Sequence, residues 1–224
     1  MSDHKLPPNE QQEPKSPPRA GGGITRRGFL KGAGVTAAGT ALLEGVQSFH
    51  SEAVAAARSD VKEYGTDPVA IQLHINGKER TLSVEPRTTL ADALRIQAGM
   101  TGTKVSCDRG ACSSCTVWLD KVPVNSCMTL AIDAIGHHIT TIEGLSSGDE
   151  LHPVQAAFVR HDAMQCGFCT PGMVMSCASL LENNPRPTEA DVRYAVSGNI
   201  CRCGTYPKVF AATLDAANHM TRKA

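Results

Sequence analysis

The chain has 224 residues, 22 acidic and 22 basic side chains, and only 4% aromatic residues. A protein that binds nucleic acid usually carries a basic patch or exposed aromatic residues that stack on bases, and this composition supplies neither. The composition therefore excludes nucleic acid as a partner. The chain also has nine cysteines, a high number that points to metal ligation or disulfide bonding.

The N-terminal residues, 1–57, are typical of an export signal that follows a disordered segment. Five of the thirteen prolines fall within the first 23 residues, which are too polar to bury a core. The twin arginine at Arg26 and Arg27 is followed by a weakly apolar run and then by Ala55-Ala56-Ala57, which offers an A-x-A cleavage site. This arrangement resembles a Tat export signal and predicts a periplasmic protein.

The apolar run of the signal, residues 32–43, is too short to cross a bilayer, which takes about 20 residues. We therefore predict no membrane span, and we expect residues 58–68 to form a linker. A Tat substrate crosses the membrane already folded, as the resemblance to this class implies. A metal cluster that is inserted into such a protein in the cytoplasm can therefore survive export.

Residues 69–147 are predicted to form a small mixed sheet packed on a helix. Apolar and polar residues alternate from Val69 to Ile75, and Asn76-Gly77 is a typical hairpin turn before a return strand at 81–84. A short helix is predicted to begin at Thr89, which forms a capping box with Asp92. Further strands are predicted at 116–119 and 139–142.

Four cysteines of this region have the spacing of a redox cluster. Cys107, Cys112 and Cys115 form C-x4-C-x2-C, and Cys127 follows across a short hairpin. This is the plant-type [2Fe-2S] pattern, and the small residues of the loop would let backbone N–H groups approach a negatively charged cluster. Structural zinc sites usually combine two C-x2-4-C pairs, so zinc or disulfides fit this spacing less well but remain the alternative.

After a linker-like stretch at 144–150, the apolar pattern becomes helical. Thr170 is expected to be the N-cap of the second predicted helix, with Pro171 in its first turn. The third helix is predicted to begin at Thr188 with Asp191 and to end at Gly198. The four predicted helices span 153–163, about 170–183, 188–198 and about 207–220. Together they predict a compact helical bundle.

The helical half contains two more cysteine pairs. Cys166 and Cys169 form C-x2-C before the second helix, and Cys201 and Cys203 form C-x-C between the third and fourth. A zinc ribbon remains an alternative, but its second pair is usually C-x2-C. Cys177 lies on the apolar face of the second helix, and we predict that it is a buried residue that binds no metal.

From about Val69 onward, the chain resembles the small iron-sulfur subunit of the molybdenum hydroxylases, the family of xanthine dehydrogenase and aldehyde oxidoreductase. The matching stretches are CDRGACSSC with Cys127, then QCGFCTPGM and GNICRCGTYP. The resemblance implies an α+β fold, with a β-grasp ferredoxin-like domain at 69–147 and an all-helical four-helix [2Fe-2S]-binding domain at 148–224. The family usually has glycine immediately after the second cysteine, where this chain has Ser113.

The resemblance also implies two [2Fe-2S] clusters and a large partner subunit that carries a molybdopterin cofactor and the catalytic centre. Electrons would pass from molybdenum to the second cluster, then to the first cluster, and then to a flavin (FAD) or c-type cytochrome (haem) subunit. The implied ligands are Cys107, Cys112, Cys115 and Cys127 for the first cluster and Cys166, Cys169, Cys201 and Cys203 for the second.

No residue of this chain is expected to be catalytic. Gln165 and Cys203 match family positions that lie at the pterin, and we expect both to contact it. An aldehyde is the preferred substrate class, because exported relatives with a separate small subunit are often similar to aldehyde oxidoreductases. The alternative functions are a free-standing exported ferredoxin-type carrier and a disulfide-stapled binding module.

Overall fold

Residues 63–223 are described by the structure, a computed structural model. The predicted signal at 1–57 and the first part of the predicted linker at 58–68 lie outside these residues. Within the described part, five strands form one mixed sheet in the order β2-β1-β5-β3-β4. The strands are β1 (Val69–Ile75), β2 (Lys78–Val84), β3 (Thr116–Leu119), β4 (Val122–Asn125) and β5 (His138–Thr140).

Two tight turns set the register of the sheet. Asn76 and Gly77 both have positive φ, 50° and 76°, and connect β1 to β2 in an antiparallel hairpin. Asp120 and Lys121, with φ of 48° and 68°, make the same kind of turn between β3 and β4. Strand β5 then pairs parallel to β1 and antiparallel to β3, which joins the two hairpins.

One short helix, α1 (Leu90–Asp92), continues as a π-helical turn over Ala93–Gln97. The Thr89 side chain caps it by accepting a hydrogen bond from the Asp92 N–H, which is one half of the predicted capping box. The Asp92 carboxylate accepts from the Thr89 hydroxyl, whereas a full capping box would have it accept from the Thr89 backbone N–H. Its apolar residues pack on one face of the sheet and form a first core. The core includes Leu73, Ile75, Leu90, Leu94, Val117 and Ile139, all with exposed fractions of 0–1%.

Four helices follow in the described residues: α2 (Pro153–Arg160), α3 (Thr170–Asn183), α4 (Glu189–Ala195) and α5 (Tyr206–Lys223). Helix α4 opens at Thr188 with Asp191, as predicted, and these two residues form a capping box. A second core lies between these helices, with Phe158, Met173 and Leu181 buried in it. The predicted change from strand to helix along the chain is therefore confirmed.

Several predicted boundaries were wrong by a few residues. Strand β5 ends at Thr140 because Ile142–Gly144 forms a 3-10 turn. Helix α2 ends at Arg160, since Asp162 adopts a left-handed φ of 48° just beyond its end. The N-cap of α3 is Cys169 rather than Thr170, and α4 ends before Gly198, at Ala195.

Trp118 connects the sheet to the helical core. It lies on β3, yet it packs with the helical cluster, and its indole N–H donates to the Met175 carbonyl at 3.0 Å. A buried tryptophan usually needs such a partner for its N–H. The contacts group the chain from Tyr64 onward into one compact unit. Over residues 63–223, no helix combines the length and the apolarity that a membrane crossing needs.

Candidate metal centres

The first four cysteines lie on the loop between α1 and β3 and on the 3-10 turn that follows β4. Cys112, Cys115 and Cys127 are buried, and Cys107 is half-buried. Left-handed φ values of 52° at Asp108, 71° at Gly110 and 53° at Ser113 curl the loop tightly. The loop thereby brings the three cysteines of C-x4-C-x2-C toward Cys127 on the neighbouring turn.

Backbone N–H groups of this loop point at the sulfur atoms. Gly110 N–H donates to Cys127 Sγ and Ala111 N–H donates to Cys107 Sγ, both at 3.3 Å. A Cβ at position 110 would lie 2.9 Å from Cγ of Met128, so glycine allows this close approach as well as the positive φ. Such N–H donors stabilise thiolates that carry the negative charge of a metal cluster.

The thiols of this set influence the pKa values of one another. Hydrogen bonds from the Arg109 backbone and the Cys112 side chain lower the pKa of Cys107 to about 7. Burial and contact with Cys115 raise the pKa of Cys127 to about 11. Cys107 and Cys127 also interact electrostatically. The structure therefore brings together all four residues of the first predicted ligand set.

The second set is assembled from two helix ends. Cys169 caps the N-terminus of α3, and Cys201 and Cys203 lie on the loop from α4 to α5. Cys201 is buried, Cys169 and Cys203 are half-buried, and Cys166 is exposed. Hydrogen bonds from the Phe168 backbone and from Cys203 lower the pKa of Cys166.

Within this second set, Cys169 and Cys201 have opposite shifts. Burial and contact with Cys201 raise the pKa of Cys169 to about 12. Burial also acts to raise the pKa of Cys201, but hydrogen bonds from the Thr205 side chain and backbone, from Cys169 and from the Cys203 backbone outweigh it and lower the value to about 7. The four thiols of the second predicted set are therefore also neighbours.

The C-x-C loop is held by a chain of hydrogen bonds. Cys201 N–H donates to the Tyr206 hydroxyl at 2.8 Å, and this hydroxyl donates to the Asn199 carbonyl at 3.0 Å. The Thr205 hydroxyl lies 3.3 Å from Cys201 Sγ. Gly204, with φ of 74°, makes the turn between them. Sequence reasoning assigned no role to Thr205 or Tyr206, although both lie in the matched GNICRCGTYP stretch.

The loops that carry the two cysteine sets contact each other directly. Ile200 N–H donates to the Cys112 carbonyl at 3.1 Å, and the Asn199 side-chain amide donates to the Ser113 carbonyl at 3.2 Å. Gly172, near the start of α3, lies against the same Ser113 carbonyl. One hydrogen bond therefore joins a residue of the first set to the residue that precedes Cys201.

The cysteine thiols of the two sets are suitable ligands for [2Fe-2S] clusters. All nine cysteines lie within the described residues and are free of disulfides. The described residues hold no group of three or more His, Cys, Asp or Glu side chains arranged around a single ion. A [2Fe-2S] cluster divides four thiolates between two irons, so it does not need three ligands around one point. The four thiols with inward N–H donors in the first set match this requirement.

The remaining cysteine, Cys177, is fully buried in the helical core. Burial raises its pKa to about 12, against the opposing effect of a hydrogen bond with Thr213. A thiol in such surroundings behaves as a small apolar residue. The position of Cys177 in the core agrees with its predicted structural role.

The two predicted pterin contacts differ in their exposure. Gln165 is exposed and, within residues 63–223, makes no hydrogen bond, whereas Cys203 is half-buried. Phe168, between Cys166 and Cys169, is 46% exposed. The Phe168 ring and the Gln165 side chain are therefore both exposed to solvent.

Family models match almost the whole described part of the chain. A 2Fe-2S iron-sulfur cluster binding domain matches residues 73–134, and a [2Fe-2S] binding domain matches residues 141–214. A twin-arginine translocation pathway signal sequence matches residues 23–42, in agreement with the predicted Tat signal. These matches therefore cover both cysteine sets and the twin arginine.

Curated relatives and solved structures agree with these domains. The chain is 48% identical to the nicotine 6-hydroxylase small subunit of Paenarthrobacter nicotinovorans, over 70% of this chain and 95% of that protein. It is 39% identical to the aldehyde oxidoreductase iron-sulfur-binding subunit PaoA of Escherichia coli K12, over 88% of this chain and 90% of the relative. Quinoline 2-oxidoreductase from Pseudomonas putida 86 has a chain that matches with a TM-score of 0.68 and 47% identity, over 70% of this chain and 98% of that one.

The thiol sets, the two domain matches and the relatives' names lead to the same family. A nicotine 6-hydroxylase small subunit, an aldehyde oxidoreductase iron-sulfur-binding subunit and a chain of a quinoline 2-oxidoreductase are each matched over at least 90% of their own length. With this degree of identity over almost the full length of these small subunits, the chain belongs to the iron-sulfur subunits of the molybdenum hydroxylases.

Proposed function

We propose that this chain is the electron-transfer subunit of an exported molybdenum-dependent hydroxylase. Electrons enter from a molybdopterin centre in a large partner subunit and pass through the cluster that the second cysteine set holds to the cluster that the first set holds. They then leave to a flavin or c-type cytochrome subunit. The observation that carries the proposal is the hydrogen bond from Ile200 N–H to the Cys112 carbonyl, which joins the loops of the two sets. A free-standing carrier would need only one cluster.

The residues of the chain prepare both sites for one-electron chemistry. When bound, a [2Fe-2S] cluster accepts and passes one electron at a time, so two in series can carry away the two electrons of a hydroxylation. The Gly110 and Ala111 amides stabilise thiolate charge at the first set. Asn199 and Ile200 hold the two loops together, so the distance between the sets stays short.

In detail, we infer a β-grasp ferredoxin-like domain at 69–147 and a four-helix cluster domain at 148–224. The two separate apolar cores support this division. The ligands are the eight cysteines of the two predicted sets, and Cys177 binds no metal. The Tat signal match supports a periplasmic location.

The preferred substrate class is an aldehyde. The Escherichia coli aldehyde oxidoreductase subunit aligns with 88% of this chain, which extends beyond the two cluster domains toward the N-terminus. The second candidate is a nitrogen heterocycle, favoured by the 48% identity to a nicotine 6-hydroxylase small subunit and by the quinoline 2-oxidoreductase structure. Assay of the purified complex with an aromatic aldehyde and with nicotine, each with a dye acceptor, distinguishes the two candidates.

The electron-transfer proposal is tested on the complex purified through this chain. Metal analysis should find molybdenum and about four irons per copy of this chain, two for each cluster. Cys166→Ser should lose the second cluster and keep the first, whereas the matched variant Cys177→Ser should keep both. A complex without molybdenum, or a Cys166→Ser variant with all its iron, would contradict the proposal.

Gln165 and Cys203 are proposed to face the pterin of the partner. A glutamine amide offers two donors and one acceptor, which suits the mixed hydrogen-bonding edge of a pterin. The exposure of Gln165 and the lack of an internal partner in the described residues support this role. Gln165→Ala should keep both clusters but slow reduction of the second cluster by substrate, with a loss of about 0.5–1.5 kcal/mol for one neutral hydrogen bond.

The matched control for Gln165 is Gln155→Ala. Gln155 belongs to the cap of α2, where its amide oxygen accepts from His152 N–H. This variant should lower stability slightly and leave the reduction rate unchanged. Normal molybdenum content and a normal reduction rate in Gln165→Ala would rule out the pterin contact.

A further inference from the structure

The Thr205 hydroxyl contacts a sulfur atom of the second cysteine set. Its Oγ1 lies 3.3 Å from Cys201 Sγ, and both residues are buried, with exposed fractions of 4% and 8%. When Cys201 is a protonated thiol, either atom can be the donor. A cysteine that binds iron is a thiolate without a proton, so in the loaded protein only the hydroxyl can donate.

The position of Thr205 would ordinarily give its hydroxyl a different role. Its carbonyl accepts from Lys208 N–H at 3.0 Å and from Val209 N–H at 3.1 Å, which makes it the N-cap of α5. An N-cap threonine usually accepts with its side chain from the second or third N–H of the helix. Here the second residue is Pro207, which has no N–H, and the hydroxyl is directed at Cys201 instead.

The first cysteine set is contacted by other donors, none of which is Thr205. Its sulfur atoms accept from the backbone amides of Gly110 and Ala111, and Cys112 Sγ lies 3.6 Å from the Ser114 hydroxyl. The Thr205 hydroxyl contacts a sulfur atom of the second set and none of the first. Substitution at this position therefore changes one set while the other serves as an internal reference.

We infer that the Thr205 hydroxyl is a positioned hydrogen-bond donor that raises the reduction potential of the second cluster. The inference rests on the proposed function, in which this cluster takes one electron at a time from the molybdenum centre of the partner. Reduction adds one negative charge to the cluster, and a hydrogen bond to a more negative sulfur is stronger. The hydroxyl therefore stabilises the reduced form more than the oxidised form, which eases entry of the electron.

Thr205→Val removes the hydroxyl and keeps the shape of the side chain. In the cluster-loaded full chain, a redox titration followed by electron paramagnetic resonance should show a lower potential for the second cluster only. We expect about a tenfold change in its reduced-to-oxidised ratio at a given potential, which is about 59 mV for one electron. Thr205→Ser, which restores a hydroxyl, should return the potential toward the wild-type value.

Thr213→Val is the matched control, because the buried Thr213 hydroxyl of the same helix donates to the Val209 carbonyl rather than to a sulfur of either set. It should leave both potentials unchanged. An unchanged second potential in Thr205→Val, or an equal shift of both clusters, would overturn the inference. If Thr205→Val assembles no second cluster, the pair Thr205→Ala and Thr205→Ser repeats the comparison, and loss of the cluster in both would show a role in assembly instead.

The outcome for Thr205 is separable from the outcome for the proposed function. A wild-type chain without two iron-sulfur signals would refute the proposed function itself. A wild-type chain with both signals, together with a Thr205→Val variant of unaltered potential, would refute only the role of the hydroxyl.

Discussion

Replacement of Gly172 by alanine should force apart the two cysteine loops. A Cβ at this position would lie 2.1 Å from the Ser113 carbonyl oxygen and 3.0 Å from Ser114 Cα. Both are backbone atoms, so no side chain can rotate away to relieve the contact. The interior is close-packed, and the loop would have to retreat by about 1 Å to reach a normal contact distance.

The expected cost follows from three effects. An overpacked core contact costs about 1–3 kcal/mol. The retreat of the loop also weakens the hydrogen bonds from Asn199 to Ser113 and from Ile200 to Cys112, each of which contributes about 0.5–1.5 kcal/mol. Alanine favours the helix by about 1 kcal/mol over glycine, which offsets part of this loss. We expect a net destabilisation of about 2–3 kcal/mol, or a fall in melting temperature of about 4–12 °C.

Thermal unfolding of the cluster-loaded chain measures this effect, and Gly198→Ala is its matched control. A Cβ at position 198 would meet Ser113 Oγ at 3.5 Å, which is an ordinary contact. The same chemical change against the same residue should therefore have little effect on the melting temperature. Equal melting temperatures for Gly172→Ala and Gly198→Ala would refute the claim that close approach of the loops requires glycine.

Three further predictions concern other parts of the chain. Cys177→Ala should keep both clusters and lose about 1–2 kcal/mol of stability, measured by unfolding and iron analysis, because the thiol is a small buried group. Arg160 holds the pKa of Asp215 below its ordinary value, so the carboxylate stabilises the fold above about pH 4, and this contribution is lost as the pH falls through the folded-state pKa. Asp215→Asn should therefore lower the stability at pH 7 by about 1 kcal/mol or less, and this loss should vanish at low pH, as unfolding curves at both pH values would show. Lysines in place of Arg26 and Arg27 should leave the protein in the cytoplasm with its clusters intact, detected by cell fractionation, because lysine lacks the guanidinium group of a twin-arginine signal.

Each of these predictions has a contradicting result. Loss of two irons in Cys177→Ala would show that this thiol is a ligand. An equal loss of stability at pH 7 and at low pH in Asp215→Asn would show that packing, rather than charge, explains the effect. Normal export of the double lysine variant would contradict the Tat signal.

The sequence alone determined the turns and caps that neighbouring residues decide, and it predicted the two cysteine sets. Positive φ at Asn76-Gly77 and the capping box at Thr188 depend on residues a few positions apart, so local chemistry decides them. The spacing of Cys107, Cys112 and Cys115 identified one thiol set in the same way. These features need no knowledge of the rest of the chain.

Only the tertiary structure decided how the sites are supported and joined. The contacts from Trp118 to Met175 and from Asn199 to Ser113 span 57 and 86 residues, and no periodicity or motif encodes a partner at that distance. The alignment of the Thr205 hydroxyl with a sulfur was likewise missed, because an N-cap threonine normally bonds to its own helix. Burial and the close packing of two cores fix these contacts, and they arise only when the whole chain is folded.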